Sequence, residues 1–92
     1  MATLEILQMP AFAKVYKKLH DQQKTAVNDA ISTIALNPFL GTEKKGDLKG
    51  VFVYKFNCVN QEFLLAYEFD EKNLLLLLLG VHENFYKKLK KI

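Results

Sequence analysis

Six consecutive leucines, Leu74–Leu79, ending at Gly80, constrain the fold of this chain more than any other feature. Side chains on a strand alternate between two faces, so an all-leucine strand has no wet face and needs cover on both sides. The run is far shorter than the roughly 20 apolar residues of a membrane span. It therefore reads as a central strand of a small sheet. Gly80 releases it onto Val81-His82-Glu83-Asn84-Phe85-Tyr86, and a lysine-rich helix follows, Lys87-Lys88-Leu89-Lys90-Lys91-Ile92. An imidazole and a phenol four residues apart are thus placed at the rim of a buried sheet, beside cations. Such a grouping suits a phosphodiester.

The rest of the chain supplies the cover. Leu4–Met9 reads as a short first strand. Pro10 suits the first turn of a helix, along which Phe12, Val15, Tyr16 and Leu19 recur at helical spacing. Asp21 is the expected N-cap of a second helix. Val27, Ile31, Ile34 and Ala35 form its apolar stripe, with Ala30 alongside, and Asn37-Pro38 stops it. Gly41–Gly50 reads as a polar loop. Val51–Cys58 alternates, with Phe52, Tyr54, Phe56 and Cys58 on one face and Val53, Lys55 and Asn57 on the other. Asn60-Gln61 is the expected turn into a strand over Glu62–Phe69, and Asp70-Glu71-Lys72-Asn73 the hairpin turn into the leucines. In the last helix Phe85, Leu89 and Ile92 share the face that docks, while the lysines stay in water. The order β-α-α-β-β-β-α predicts an α+β fold with a small, mainly antiparallel sheet. The two helices cover one face. The other is concave and only partly covered by the last helix.

Composition narrows the functional classes. The chain has 92 residues, half of them apolar, enough for one modest core in one domain over residues 1–92. Met1-Ala2-Thr3-Leu4-Glu5 lacks the basic and apolar regions of a signal peptide. The single cysteine, Cys58, rules out an internal disulfide, cannot alone form a zinc site, and is expected as a core thiol in a reducing cytoplasm. There is no Gly-rich phosphate loop and no His/Cys cluster, so neither cofactor nor metal is expected. All thirteen cations are lysines, and the net charge of +3 arises in residues 83–92, which hold four lysines against Glu83. That distribution describes either a solvated helix face or one that meets phosphate.

Leu48-Lys49-Gly50, the two strands after it and Gly80-Val81-His82-Glu83-Asn84-Phe85-Tyr86 together resemble the RelE/ParE superfamily of bacterial toxins. The resemblance extends to the helical hairpin, Asn37-Pro38, the Tyr54-Lys55 strand and Tyr67. It implies a cytoplasmic toxin of a type II toxin–antitoxin module, neutralised by an antitoxin encoded beside it. One branch of the superfamily cleaves messenger RNA in the ribosomal A site without metal. The other poisons DNA gyrase. In the ribonuclease branch the strand matching Val53–Asn57 brings cations to the scissile phosphate. Lys55 stands at one such place, and Asn57 stands where another cation is common. Leu64 stands where the next strand often carries arginine. His82 and Tyr86 match the polar and aromatic residues placed after the last strand.

Metal-free RNA cleavage needs activation of the 2′-OH, stabilisation of the phosphorane and protonation of the 5′-oxygen. An imidazole carries protons near neutral pH, cations stabilise the phosphorane, and a tyrosine stacks on a base or donates a proton. His82, Lys55 and Tyr86 fit these tasks in turn. Glu83 fits as an orienter of His82, though its charge repels phosphate. Lys49, Asn57 and Lys87 are candidates for contacts to the RNA backbone. Each has a structural alternative: His82 as a strand cap, Tyr86 as packing, Lys55 as a solvated strand residue. His20, between the helices, reads as a surface residue. Two functions stay open. An mRNA endonuclease uses the His82/Tyr86 pair. A gyrase inhibitor, or a relative that chiefly binds its antitoxin, accounts better for the absent arginines.

Overall fold

The computed structural model describes residues 4–92. Met1–Thr3, part of the segment read above for a leader peptide, lie outside them. The chain runs β1 (Glu5–Gln8), α1 (Pro10–Lys17), α2 (Asp21–Leu36), β2 (Thr42–Glu43), β3 (Phe52–Asn57), β4 (Glu62–Phe69), β5 (Asn73–Gly80) and α3 (Phe85–Leu89), with short 3-10 turns at Pro38–Leu40 and Gly46–Leu48. The strands form one sheet in the order β1-β5-β4-β3-β2. All neighbours are antiparallel except β1, which lies parallel to β5. The expected α+β fold is thus present, with one strand more than anticipated. Thr42–Glu43 falls in the segment read as a polar loop. It has no apolar alternation of its own and is a strand only because it pairs with Phe52 and Val53.

The leucine strand β5 lies between β1 and β4 and is covered on both faces. Leu74, Leu76 and Leu79 join Phe12, Val27, Ile34, Cys58, Phe63, Leu65 and Tyr67 beneath the helical hairpin. Leu77 and Leu78 join Val51, Val53, Leu64, Ala66, Phe85 and Leu89 beneath α3. Two adjacent leucines share a face because the register slips. Ala66 pairs with Leu78 and Tyr67 with Leu76, leaving Leu77 as the extra residue of a bulge. Each fully buried leucine contributes about 2 kcal/mol through its removal from water.

Several boundaries differ from expectation. β1 is Glu5–Gln8 rather than Leu4–Met9. The N-cap of α2 is His20 rather than Asp21, which begins the helix; the Gln23 Oε1 accepts from the His20 N–H at 2.9 Å. Cys58 is a core thiol as expected, donating to the Gln23 carbonyl at 3.7 Å, and burial pushes its pKa up. Ile92 does not dock: it is 46% exposed, beyond the end of a helix that stops at Leu89.

Two turns hold the meander. Asp70 Oδ1 accepts from the N–H groups of Lys72 (2.8 Å) and Asn73 (2.7 Å), bonds that hold its carboxyl below the usual range. The β3–β4 turn is centred on Val59-Asn60, one residue earlier than expected. Both have positive φ, +52° and +67°, and Cys58 and Gln61 exchange backbone hydrogen bonds across them. This is the geometry of a tight two-residue hairpin, whose twist matches the strands but suits Asn and Gly. A β-branched residue in the left-handed region is strained by about 1–2 kcal/mol. Val59→Asn should therefore raise stability by about 1 kcal/mol, read as a rise of roughly 4–8 °C in the unfolding midpoint. An unchanged or lower midpoint would show that this turn stores no strain.

Tyr67 is fully buried yet wired to the surface. Its hydroxyl donates to the Pro38 carbonyl at 2.6 Å and accepts from the Gly41 N–H at 3.0 Å. Burial pushes the phenol's pKa up, against the lowering effect of the Gly41 bond. A side chain at Gly41 would place its Cβ 2.5 Å from that hydroxyl, so glycine is required by the close approach. The turn after α2 is thereby fixed to the sheet, which sets where β2 starts. Tyr67→Phe leaves two backbone groups unpaired and should cost about 1–3 kcal/mol in denaturant unfolding. A cost near zero would mean that water replaces the hydroxyl without penalty.

Candidate functional site

At the end of β5 the chain turns sharply. Asn84 adopts a left-handed conformation (φ +61°), and the Phe85 N–H donates to the His82 carbonyl at 3.1 Å. The reversal drops Phe85 back onto the sheet, where it is 2% exposed and would be the nearest contact of any side chain at Gly80. Leu89, one helical turn later, is buried beside it. These two residues clamp α3. His82 and Glu83 are left exposed on the turn, and Tyr86 half-buried on the first turn of the helix.

The two residues singled out at this turn do meet. The His82 and Tyr86 rings lie 5.9 Å apart between centroids, steeply inclined at 74°, and Phe85 supports Tyr86 at 5.4 Å. Lys55 is exposed on β3, opposite Leu64, which in turn is opposite Gly80. Lys55, Leu64 and Gly80 thus form one row across three strands, with Lys55 about 10 Å from Gly80 at two strand spacings. By alternation with Val53, Lys55 lies on the α3 side of the sheet. Leu64 fills the middle of the row and is wholly buried.

Of three further candidates, Lys49 and Asn57 are not gathered there. Lys49 is exposed beside a cleft of about 470 Å³ with Asp47, Glu68 and Lys90, and none of His82, Tyr86 or Lys55 lines it. Asn57 lines a groove between α2 and β3, with Asp29 and Thr33. Lys87 is exposed on α3. Two of the terminal lysines line different clefts: Lys88 lies with Lys14 and Lys18 along a second groove, while Lys90 lies with Lys49 along the first.

One cation at the site is absent from the sequence reading. Lys44 Nζ lies 5.1 Å from the centre of the Tyr86 ring. It follows β2, and its N–H donates to the Val51 carbonyl at 2.8 Å. The only sequence signal was the Lys44-Lys45 pair in a segment read as a loop, where nothing indicates which way a side chain points. Among the described residues no group of three or more His, Cys, Asp and Glu side chains is placed to hold a metal ion, and no helix is long and apolar enough to cross a membrane. Chemically, the turn offers one exposed imidazole, one half-buried phenol and two lysines on the same side of the sheet.

The architecture has known counterparts. A mutant of the E. coli toxin RelE in the free state superimposes with a TM-score of 0.75 at 18% identity, covering 99% of this chain and 97% of that one. A chain of the intact E. coli RelBE toxin–antitoxin complex gives 0.69 at 15% identity, over 85% of this chain and 95% of that one. The YoeB dimer from Staphylococcus aureus gives 0.69 at 22% identity, over 88% and 99%. A comparison with curated protein sequences finds no match. The sequence profile of the ParE-like toxins of type II bacterial toxin–antitoxin systems matches residues 6–90, and the chain belongs to that family.

Proposed function

We propose that this toxin is a ribosome-dependent endonuclease that cuts messenger RNA without a metal ion. The observation that carries the reading is the His82–Tyr86 pair, held 5.9 Å apart at an exposed rim. A protein that only grips a partner has no need of an imidazole presented in this way. His82 carries the proton between the reacting oxygens. Tyr86 stacks on a base and holds the nucleotide in line. Lys55, on a rigid strand, meets the charge that grows on the phosphorane. Lys49 and Asn57 lie apart from this group, Lys87 directly follows Tyr86 on α3, and all three are assigned to the RNA or ribosome backbone along its flanks. The protein acts in the cytoplasm, and its partner is an acidic antitoxin encoded by the adjacent reading frame, whose charge complements the lysine-rich terminus.

A second reading has one observation in its favour. Leu64 occupies the middle of the row between Lys55 and Gly80, and the sequence has no arginine with which to charge it. A gyrase inhibitor, or a relative that chiefly binds its antitoxin, tolerates that leucine. Induction of the toxin in cells discriminates the two. Primer extension reveals cut messages if the ribonuclease is right, whereas filamentation with an SOS response points to gyrase.

Replacing His82 with alanine should lower single-turnover cleavage by about 10²–10⁴-fold, the usual effect of removing one acid–base group. The fold should be unchanged, because His82 is exposed and outside both buried clusters, and antitoxin binding by the variant is measured alongside as a check on folding. Cleavage and growth arrest at wild-type levels in that variant would return His82 to a structural role.

Lys55 and the terminal lysines should differ in kind. Lys55→Ala should slow cleavage about 10²–10³-fold at saturating ribosome and leave binding nearly intact, as loss of a transition-state contact does. Changing Lys87, Lys88, Lys90 and Lys91 to glutamine should instead weaken ribosome binding, most visibly at low ionic strength where screening is least. A Lys55→Ala protein that cleaves at the wild-type rate would make β3 scaffold only.

A further inference from the structure

Lys44 has a place fixed by the sheet. β2 sets Thr42 opposite Val53 and Glu43 opposite Phe52, and the Lys44 N–H bond to Val51 continues the ladder by one residue. Alternation then puts Lys44 on the Val51–Val53 side, where α3 lies, and Glu43 with Phe52 on the helical-hairpin side. Lys44 is half-buried, whereas Lys49, Lys55 and Lys87 are exposed. Its ammonium lies 5.1 Å from the ring that His82 approaches at 5.9 Å. Two groups, Lys44 just after β2 and His82 on the turn after β5, therefore meet around one phenol, that of Tyr86 at the start of α3.

The geometry points to Lys44 as a phosphate ligand of this site, parked on Tyr86 in the free protein and transferred to an RNA phosphate when a base stacks on that ring. The inference rests on the ribonuclease reading for the nature of the RNA. Its logic is competition for one aromatic face. A base stacks on the face of a tyrosine, and an ammonium is attracted to that same face. A base that stacks on the face Lys44 covers must therefore displace the ammonium. A phosphate offers the ammonium a stronger, charge-assisted partner than the ring does. The flexible four-carbon stem of lysine lets the head swing between the two while the backbone stays pinned to β3. The exchange brings a cation to the site without any contribution from the Leu64 position. It also uncovers Tyr86 only when a phosphate is present to draw Lys44 away, so base stacking and phosphate binding become coupled.

The test uses a 2′-O-methyl trinucleotide, which keeps the bases and phosphates but has no 2′-OH to attack. Its affinity for the protein is measured by NMR titration across a salt series. Lys44→Gln should weaken binding about tenfold, the worth of one hydrogen bond to a charged group. It should also reduce the slope of log affinity against log salt by about 0.7, one single-strand phosphate contact. Lys44→Arg should restore both. Wild-type affinity and slope in Lys44→Gln, or no rescue by Lys44→Arg, overturns the assignment. Should Lys44→Gln fail to fold, Lys44→Met keeps the stem and reads the same slope. Message cleavage on ribosomes is followed in parallel. Trinucleotide binding that depends on Lys44, with no message cut by the wild type, sinks the ribonuclease reading and keeps the ligand. Messages cut by the wild type, with affinity indifferent to Lys44, do the reverse.

Discussion

A strand that cannot face water on either side dictates the rest of this molecule. β5 is leucine at every position between Asn73 and Gly80, so any stable arrangement must place an apolar layer above and below it. The α1–α2 hairpin supplies one layer through Phe12, Val27 and Ile34. The other is thinner: Phe85 and Leu89 from a helix of five residues, with Val51, Val53 and Leu64. That asymmetry makes a site possible. The thick side is closed by two helices. The thin side leaves clefts beside α3 and lets polar residues from four different segments look onto the same surface.

The site is built from what the core does not use. Phe85 is needed inside, and by being inside it forces its neighbours out: His82 and Glu83 on the preceding turn, Tyr86 at the margin. The left-handed Asn84 makes this possible by reversing the chain within a single residue. Lys55 is outward because β3 loses its cover toward its end, with Val53 buried and Asn57 exposed. Tyr67 acts at a distance by fixing the Pro38–Gly41 turn, from which β2 and then Lys44 follow.

The parts of the fold legible in the sequence were those with a strong period or a strong breaker. The leucine run, the alternation of Val51–Cys58, the stripe of α2 and its stop at Asn37-Pro38 all carry their own signal, and the His82–Tyr86 pair was legible from its place directly after Gly80. What was not legible depends on a partner distant in sequence. Thr42–Glu43 is too short to show a pattern and becomes a strand by pairing. Lys44 reaches Tyr86 only because that pairing exists. Val59 resists prediction for the opposite reason: its own preference is overruled by the register of β3 against β4, which leaves two residues to make the turn. Lys49 reads as a contact to the RNA backbone by its charge, but charge alone does not say on which end of a sheet face a residue lies.

The parallel pairing of β1 with β5 has a consequence for how such a protein can be made safely. Glu5 is opposite Asn73, so the first strand has no partner until β5 has been made, whereas β3, β4 and β5 are joined by tight local turns. Local hairpins close quickly and distant pairings slowly. A chain still emerging from a ribosome therefore exposes its helical hairpin first and its meander next, and β1 can join the sheet only after β5 is made. The residues at positions 82–86 are translated last of all the site, and α3 cannot dock until they are free of the exit tunnel. The site is therefore the last part of this fold to be completed, after β2, which Lys44 follows, and β3, which carries Lys55, have already paired.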